Sequence, residues 1–182
     1  MDRMEIRLAG SGGQGLILGT RTMFRALSLE GMQAAQSSSY EPTSRGGFCR
    51  SDLVVSDGTP DYPLVTGINY LIALDQVGAD RSKGFIARDA VVVYDSRLVT
   101  APPEEGNRRI GLPLTDRAIA AGSARVANIV ALGAMIGITG LCKRESLMEA
   151  IRLDTPKKFA AVNLAAAEEG FRLADEVLAP AE

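Results

Sequence analysis

One run in this chain could do chemistry without a reactive side chain: Gly10-Ser11-Gly12-Gly13-Gln14-Gly15. It follows the alternating stretch Met4-Glu5-Ile6-Arg7-Leu8 and precedes a helical pattern from Leu16 to Leu29. Strand, glycine turn and helix together form a backbone nest that can hold an anion at a helix N-terminus. A second cluster, Arg45-Gly46-Gly47, sets a guanidinium beside exposed backbone amides, which suits a carboxylate or phosphate. Tyr40, a few residues earlier, offers an amphipathic surface for a cofactor or a partner. Asn128 lies inside an apolar helical pattern and must find hydrogen bonds, either by capping a loop internally or by facing the glycine turn. The candidate binding residues are therefore Gly10, Gly12, Gly13, Gln14, Gly15, Tyr40, Arg45, Gly46, Gly47 and Asn128.

What the chain lacks narrows this chemistry. It has no histidine, so it cannot by itself build a Ser-His-Asp or Cys-His machine or a His-ligated metal site. Its 2 cysteines, Cys49 and Cys142, cannot supply the ligands of an ordinary iron–sulfur cluster. They read as reduced thiols of a cytoplasmic protein. The net charge is -2, with no long basic run, and aromatic residues make up only 5%. Neither a nucleic-acid footprint nor a base-stacking platform is indicated. Asp2, Arg3 and Glu5 interrupt any signal-peptide pattern, and no apolar run is long enough to span a bilayer. No nucleic-acid partner and no membrane are expected.

The elements that must position these residues follow from periodicity. Leu16, Ile17, Met23, Ala26 and Leu27 form a helical stripe that Gly31 ends. Strands are predicted for residues 32–36, 50–56, 70–74, 90–94 and 109–114, with Ser37 to Gly47 as a polar loop and Asp57-Gly58-Thr59-Pro60 as a turn. Asp61-Tyr62-Pro63 reads as a strand boundary, and Asp75 to Asp80 as a helical turn. Helices are predicted for residues 123–140, for 144–151, and from Thr155-Pro156, N-cap then first turn, to about Leu178. Strands alternating with helices imply an α/β fold: a three-layer α/β/α sandwich, Rossmann-like, with a mainly parallel (mixed) sheet. The 182 residues form a single domain, with no linker and no internal repeat.

Gly10, Gly12 and Gly15 satisfy the spacing of a dinucleotide fingerprint. The acid expected near the end of the second strand is missing, since that end reads Ala35-Gln36-Ser37-Ser38. A P-loop fails because Leu16 stands where the lysine should be. A free-standing NAD- or FAD-binding protein is the competing reading, and an α/β module without any small ligand is the third.

Taken in order, the glycine–glutamine run, Ser39-Tyr40-Glu41-Pro42-Thr43-Ser44-Arg45-Gly46-Gly47, Asp61-Tyr62-Pro63, Asn128-Ile129-Val130-Ala131-Leu132-Gly133 and Asn163 resemble the gamma subunit of 2-oxoacid:ferredoxin (acceptor) oxidoreductases. The likeness is greatest to the 2-oxoglutarate and branched-chain enzymes, with the indolepyruvate enzyme's subunit nearby. It covers residues 4 to 175. Glu41 and Thr43 depart from the family's loop, which usually has glycine and glutamate at those places. The resemblance implies a complex that oxidatively decarboxylates a 2-oxoacid to an acyl-CoA and passes electrons to ferredoxin. Thiamine diphosphate would be held by the alpha and beta subunits and iron–sulfur clusters by beta or delta. This chain would hold no redox centre, be inactive alone, and serve assembly and the positioning of coenzyme A.

Overall fold

The computed structural model describes residues 3–41, 46–56, 58 and 64–180. Its core is a six-stranded sheet in the order β2-β3-β1-β4-β5-β6. The strands are β1 (Met4–Ser11), β2 (Gln33–Tyr40), β3 (Phe48–Ser56), β4 (Ile68–Ala73), β5 (Ile86–Asp95) and β6 (Arg108–Leu112). The helices are α1 (Leu16–Leu29), α2 (Gln76–Asp80), α3 (Leu114–Ala120), α4 (Ala127–Thr139), α5 (Arg144–Asp154) and α6 (Lys157–Leu178). Strands β1, β4, β5 and β6 run parallel, and β3 pairs antiparallel with both β1 and β2. Only β3 is reversed, so the expected mixed, mainly parallel sheet is present.

The alternation of β1 separates two interiors. Met4, Ile6 and Leu8 enter a large core beneath α1, α3, α4, α5 and α6. Ala9 enters a smaller one with Val54, Leu71, Ala79 and Val92, roofed by α2 and loops. The helical layers are thus unequal. In the thick layer, α4 is apolar all round and buried, as a central helix must be. It crosses α6 so closely that a Cβ built on Gly170 would lie 2.2 Å from the Val130 carbonyl oxygen. Only a glycine permits that approach. On the thin side, Arg7 and Asp52 sit opposite each other in the β1–β3 register and form a buried ion pair, Nε to Oδ1 at 2.7 Å and Nη2 to Oδ2 at 3.0 Å.

Several elements differ from the sequence reading. Ser37 to Tyr40, expected as loop, continue β2 as an edge strand. Their polarity fits the position: Ser38 and Gln36 both bond the Ser51 hydroxyl, at 2.8 and 3.0 Å. Ile17, placed in the buried stripe of α1, is exposed, whereas Leu16, Met23, Ala26 and Leu27 are buried. The sixth strand ends at Leu112, because Pro113 leads directly into α3. A 3-10 turn over Ala124–Val126 precedes α4, which Gly140 closes in the left-handed conformation. Pro156 caps α6 rather than opening it. Gly31 does end α1, with its amide on the Ser28 carbonyl and that of Met32 on Leu27, the paired bonds of a Schellman stop.

Candidate functional site

The carboxyl ends of β1 and β4 meet where the connections leave the sheet in opposite directions, the position at which open α/β sheets usually receive ligands. In this chain the crevice is filled from within. The Gln14 side chain accepts from the Ser11 amide at 2.8 Å and donates to the Leu74 carbonyl at 2.9 Å, bridging the two strand ends. Ser11 Oγ bonds Asp75 Oδ2 at 3.1 Å, while Asp75 Oδ1 caps α2 through the Val77 amide at 3.3 Å. Gly10 is held to glycine by the same bridge, since its Cβ would fall 2.2 Å from Gln14 Oε1. These contacts leave no opening for a dinucleotide between β1 and β4, and the acid at Asp75 disfavours an anion there.

The turn instead faces outward, along the start of α1. Gly15 occupies the left-handed region at φ 71, and the helix begins with no side-chain cap and no acid in its first turn. The Gly12 amide is engaged by the Gly47 carbonyl at 2.8 Å, which ties the turn to the neighbouring hairpin. The amides of Gly13 and Gly15 to Leu18 meet no acceptor among the described residues. They open onto a groove of about 490 Å³ whose walls include Ser11, Gly13, Leu16, Ile17, Arg21 and Cys49. Arg21 has no ion-pair partner among the described residues, so a cation stands one turn from the free helix end. Burial pushes the Cys49 thiol up, so it remains a neutral floor rather than a nucleophile.

Asn128 resolves its two sequence readings together. It is buried, donates to the Gly15 carbonyl at 2.9 Å and accepts from the Ile129 amide at 2.9 Å. It thereby pins the glycine turn to α4. Tyr40, 70% exposed, ends β2 directly opposite Cys49. Glu41 closes the neck of the hairpin: its amide bonds the Phe48 carbonyl at 3.0 Å, and its carboxylate accepts from the Phe48 amide at 3.2 Å. It also lies 3.5 Å from Arg81. Glu41 is thus spent on the hairpin. Gly46 adopts φ 78 and Gly47 supplies the carbonyl that meets Gly12. Arg45, with Pro42, Thr43, Ser44 and Asp61-Tyr62-Pro63, lies outside the described residues.

Sequence reasoning missed Arg21. Its signal was present: with Ile17 and Leu18 it lies on the α1 face opposite the buried Leu16, Met23 and Leu27. Among the described residues no three His, Cys, Asp or Glu gather as a metal site, and no helix is long and apolar enough to cross a membrane.

Comparison with known proteins places this arrangement. The 2-oxoglutarate synthase subunit KorC of Methanocaldococcus jannaschii is 38% identical over 96% of this chain and 96% of its own length. A solved gamma subunit of a keto/oxoacid ferredoxin oxidoreductase from Geobacter sulfurreducens superposes with a TM-score of 0.86 at 38% identity, covering 96% of this chain and 97% of that one. The 2-oxoglutarate:ferredoxin oxidoreductase from Magnetococcus marinus, solved with 2-oxoglutarate, coenzyme A and succinyl-CoA bound, shares the fold at TM-score 0.82 and 22% identity, over all of this chain and 32% of its own. Residues 5–173 match the family described as pyruvate ferredoxin/flavodoxin oxidoreductase, and the chain belongs to that family.

Proposed function

We propose that this chain is the gamma-type subunit of a 2-oxoglutarate:ferredoxin oxidoreductase and that its α1 groove positions the anionic part of coenzyme A. The observation that carries the first half is the end-to-end correspondence with a KorC subunit at 38% identity. In the complex a 2-oxoacid, coenzyme A and oxidised ferredoxin become an acyl-CoA, carbon dioxide and reduced ferredoxin. Thiamine diphosphate and iron–sulfur clusters supply the decarboxylation and the electron transfer there. The donors of this chain do not suit a cluster: both cysteines are buried, and burial, with Glu30 nearby, pushes the Cys142 thiol up to about 12.

Coenzyme A fits what the chain does offer. The uncapped α1 amides and Arg21 favour a phosphate, and the apolar sides of Ile17 and Leu18 suit the less polar parts of the molecule. Gln14 and Asn128 hold the amides in place without spending a polar atom on the ligand. Gly13 and Gly15 keep side chains out of the turn where the groove begins, and Tyr40 ends the edge strand opposite the groove residue Cys49. The partners in this reading are alpha and beta chains, with delta where present, and ferredoxin reaches the complex through them. The setting is cytoplasmic.

The test is steady-state kinetics of the assembled complex carrying Arg21→Ala or Arg45→Ala. Loss of a charge-assisted contact raises the KM for coenzyme A about tenfold or more and leaves the KM for the 2-oxoacid unchanged. An unchanged coenzyme A KM in both variants overturns the anion-site role. If the chain instead binds NAD or FAD and assembles with no partner, the competing reading wins.

A further inference from the structure

The helical layer carries a second concavity, away from the glycine turn. A cleft of about 570 Å³ lies between α1, the turn before α4 and the start of α6. Leu18, Val126, Phe159 and Val162 form its apolar walls, with Arg125 on its rim and Asn163 at its base. Phe159 is 49% exposed and Leu153, beside the lining residue Asp154, is also exposed. Large apolar side chains left in water around one concavity mark an interaction site.

Cations on and beside it are unmatched. Arg125, Lys157 and Lys158 have no ion-pair partner among the described residues, and Lys158 finds only the ring face of Phe159 at 4.8 Å. The first turn of α6 holds no acid, and the helix starts without a side-chain cap. Asp154, the only acid on the cleft wall, is already satisfied by Arg25 at 3.2 Å. Many other cations of the same helical layer are matched: Arg117 with Glu169 and Glu176, Arg144 with Asp175, Arg152 with Glu149, and Arg172 with Glu169, while Arg21 stays open at the α1 groove. A chain of net charge -2 therefore leaves Arg125 on the cleft, and Lys157 and Lys158 in the first turn of α6 beside it, without ion pairs. Asn163, 8% exposed, donates to Thr155 Oγ1 at 3.4 Å, and its amide oxygen has no donor among the described residues.

We propose that this cleft is a docking surface for an acidic segment of a partner chain in the oxidoreductase. An aromatic or branched apolar side chain of the segment would fill the space between Leu18 and Phe159. Its carboxylates would meet Arg125, Lys157, Lys158 and the open amides of α6, and a backbone or side-chain N–H would reach the Asn163 oxygen. Unpaired cations explain why the occupant is acidic, and the depth of the apolar walls why it brings an anchor. This inference rests on the reading of the chain as a subunit.

The experiment is reconstitution of the full complex from separately purified chains, with the dissociation constant measured across a salt series. The variants are Arg125→Glu/Lys157→Glu/Lys158→Glu, Phe159→Ser, and Lys83→Glu on the opposite side of the sheet as control. Circular dichroism and melting confirm that each variant folds. The triple reversal is expected to weaken assembly about tenfold or more at low salt and to flatten its salt dependence. Phe159→Ser weakens assembly and keeps the wild-type salt slope, and the control changes neither. Wild-type affinity and salt slope in both cleft variants overturn the docking surface while the subunit reading stands. Intact assembly with a raised coenzyme A KM overturns it in favour of a small-molecule site. A wild-type chain that joins no partner overturns both readings.

Discussion

The two faces of the sheet are stabilised by opposite means. On the thick side, five helices exclude water from a continuous apolar core, and α4 and α6 come together along Gly133, Gly137, Gly170 and small alanines. On the thin side, one short helix and loops cover a strand surface that carries charge. There Arg7 pairs with Asp52, and Arg7 Nη1 has no hydrogen-bond acceptor, facing instead the Phe85 ring with Cζ 5.3 Å from its centroid. Glu5 is also buried, its carboxylate accepting from the Thr66 and Gly67 amides at 2.6 Å each and from Arg3 at 2.7 Å. The thick face tolerates no added volume, whereas the thin face tolerates no unpaired charge.

The largest expected effect breaks the helix crossing. Gly170→Val would place carbon against the Val130 carbonyl and the Ala134 amide, both on the α4 backbone, and should cost more than about 5 kcal/mol. Soluble expression and a melting curve check it, and a near-native Tm would show that α4 and α6 can separate freely. Next is Asp52→Ala, which strands the buried Arg7 and should cost about 3–5 kcal/mol in a urea titration. The double replacement Arg7→Met/Asp52→Leu sharpens the comparison: it should restore or exceed wild-type stability, because apolar side chains of similar volume need no desolvation. If it proves as unstable as the single variant, the thin face needs its charges for more than mutual neutralisation.

Glu5 provides a pH signature. Burial alone would push its carboxyl up, but the Gly67 amide, Arg3 and Thr66 outweigh burial and hold it below the ordinary 4.5. Its contribution is therefore intact above that pH and fades as the pH falls through the lowered folded value. Glu5→Gln should lose about 2 kcal/mol at neutral pH, with the gap to wild type narrowing in strong acid. Urea midpoints at both pH values check this, and a pH-independent gap would refute it. A smaller effect, about 1 kcal/mol, is expected for Asn128→Ala, because the Gly15 carbonyl keeps the Gly19 amide at 2.8 Å while the Ile129 amide loses its acceptor. Smallest of all, alkylation of Cys142 at neutral pH should be far slower than that of a free thiol, since burial and Glu30 keep it protonated.

The same contrast decides what could be read from the amino acids. The β-branched run of β5, the Gly31 stop of α1 and the glycine turn before α1 were legible because each follows from local conformational preference. The thin face was not. Glu5 and Arg7 alternate with Ile6 and Leu8, a pattern that looks half solvated until Asp52 arrives from β3 and the residue 64–67 loop covers it. The serines of β2 looked like loop for a related reason: the Ser51 hydroxyl that Ser38 bonds lies on β3. In the site, glycine spacing was visible. That Gln14 is consumed by Leu74, and that Arg21 stands free, depends on which strands become neighbours.

The reversed course of β3 has a final consequence. It brings Gly47 and Phe48 to the same rim as the glycine turn, where the Glu41 amide bonds the Phe48 carbonyl and the Gly12 amide bonds the Gly47 carbonyl. The rim of the α1 groove is therefore anchored by backbone bonds at Gly12 and Phe48 as well as by the strand register that sets Tyr40 opposite Cys49.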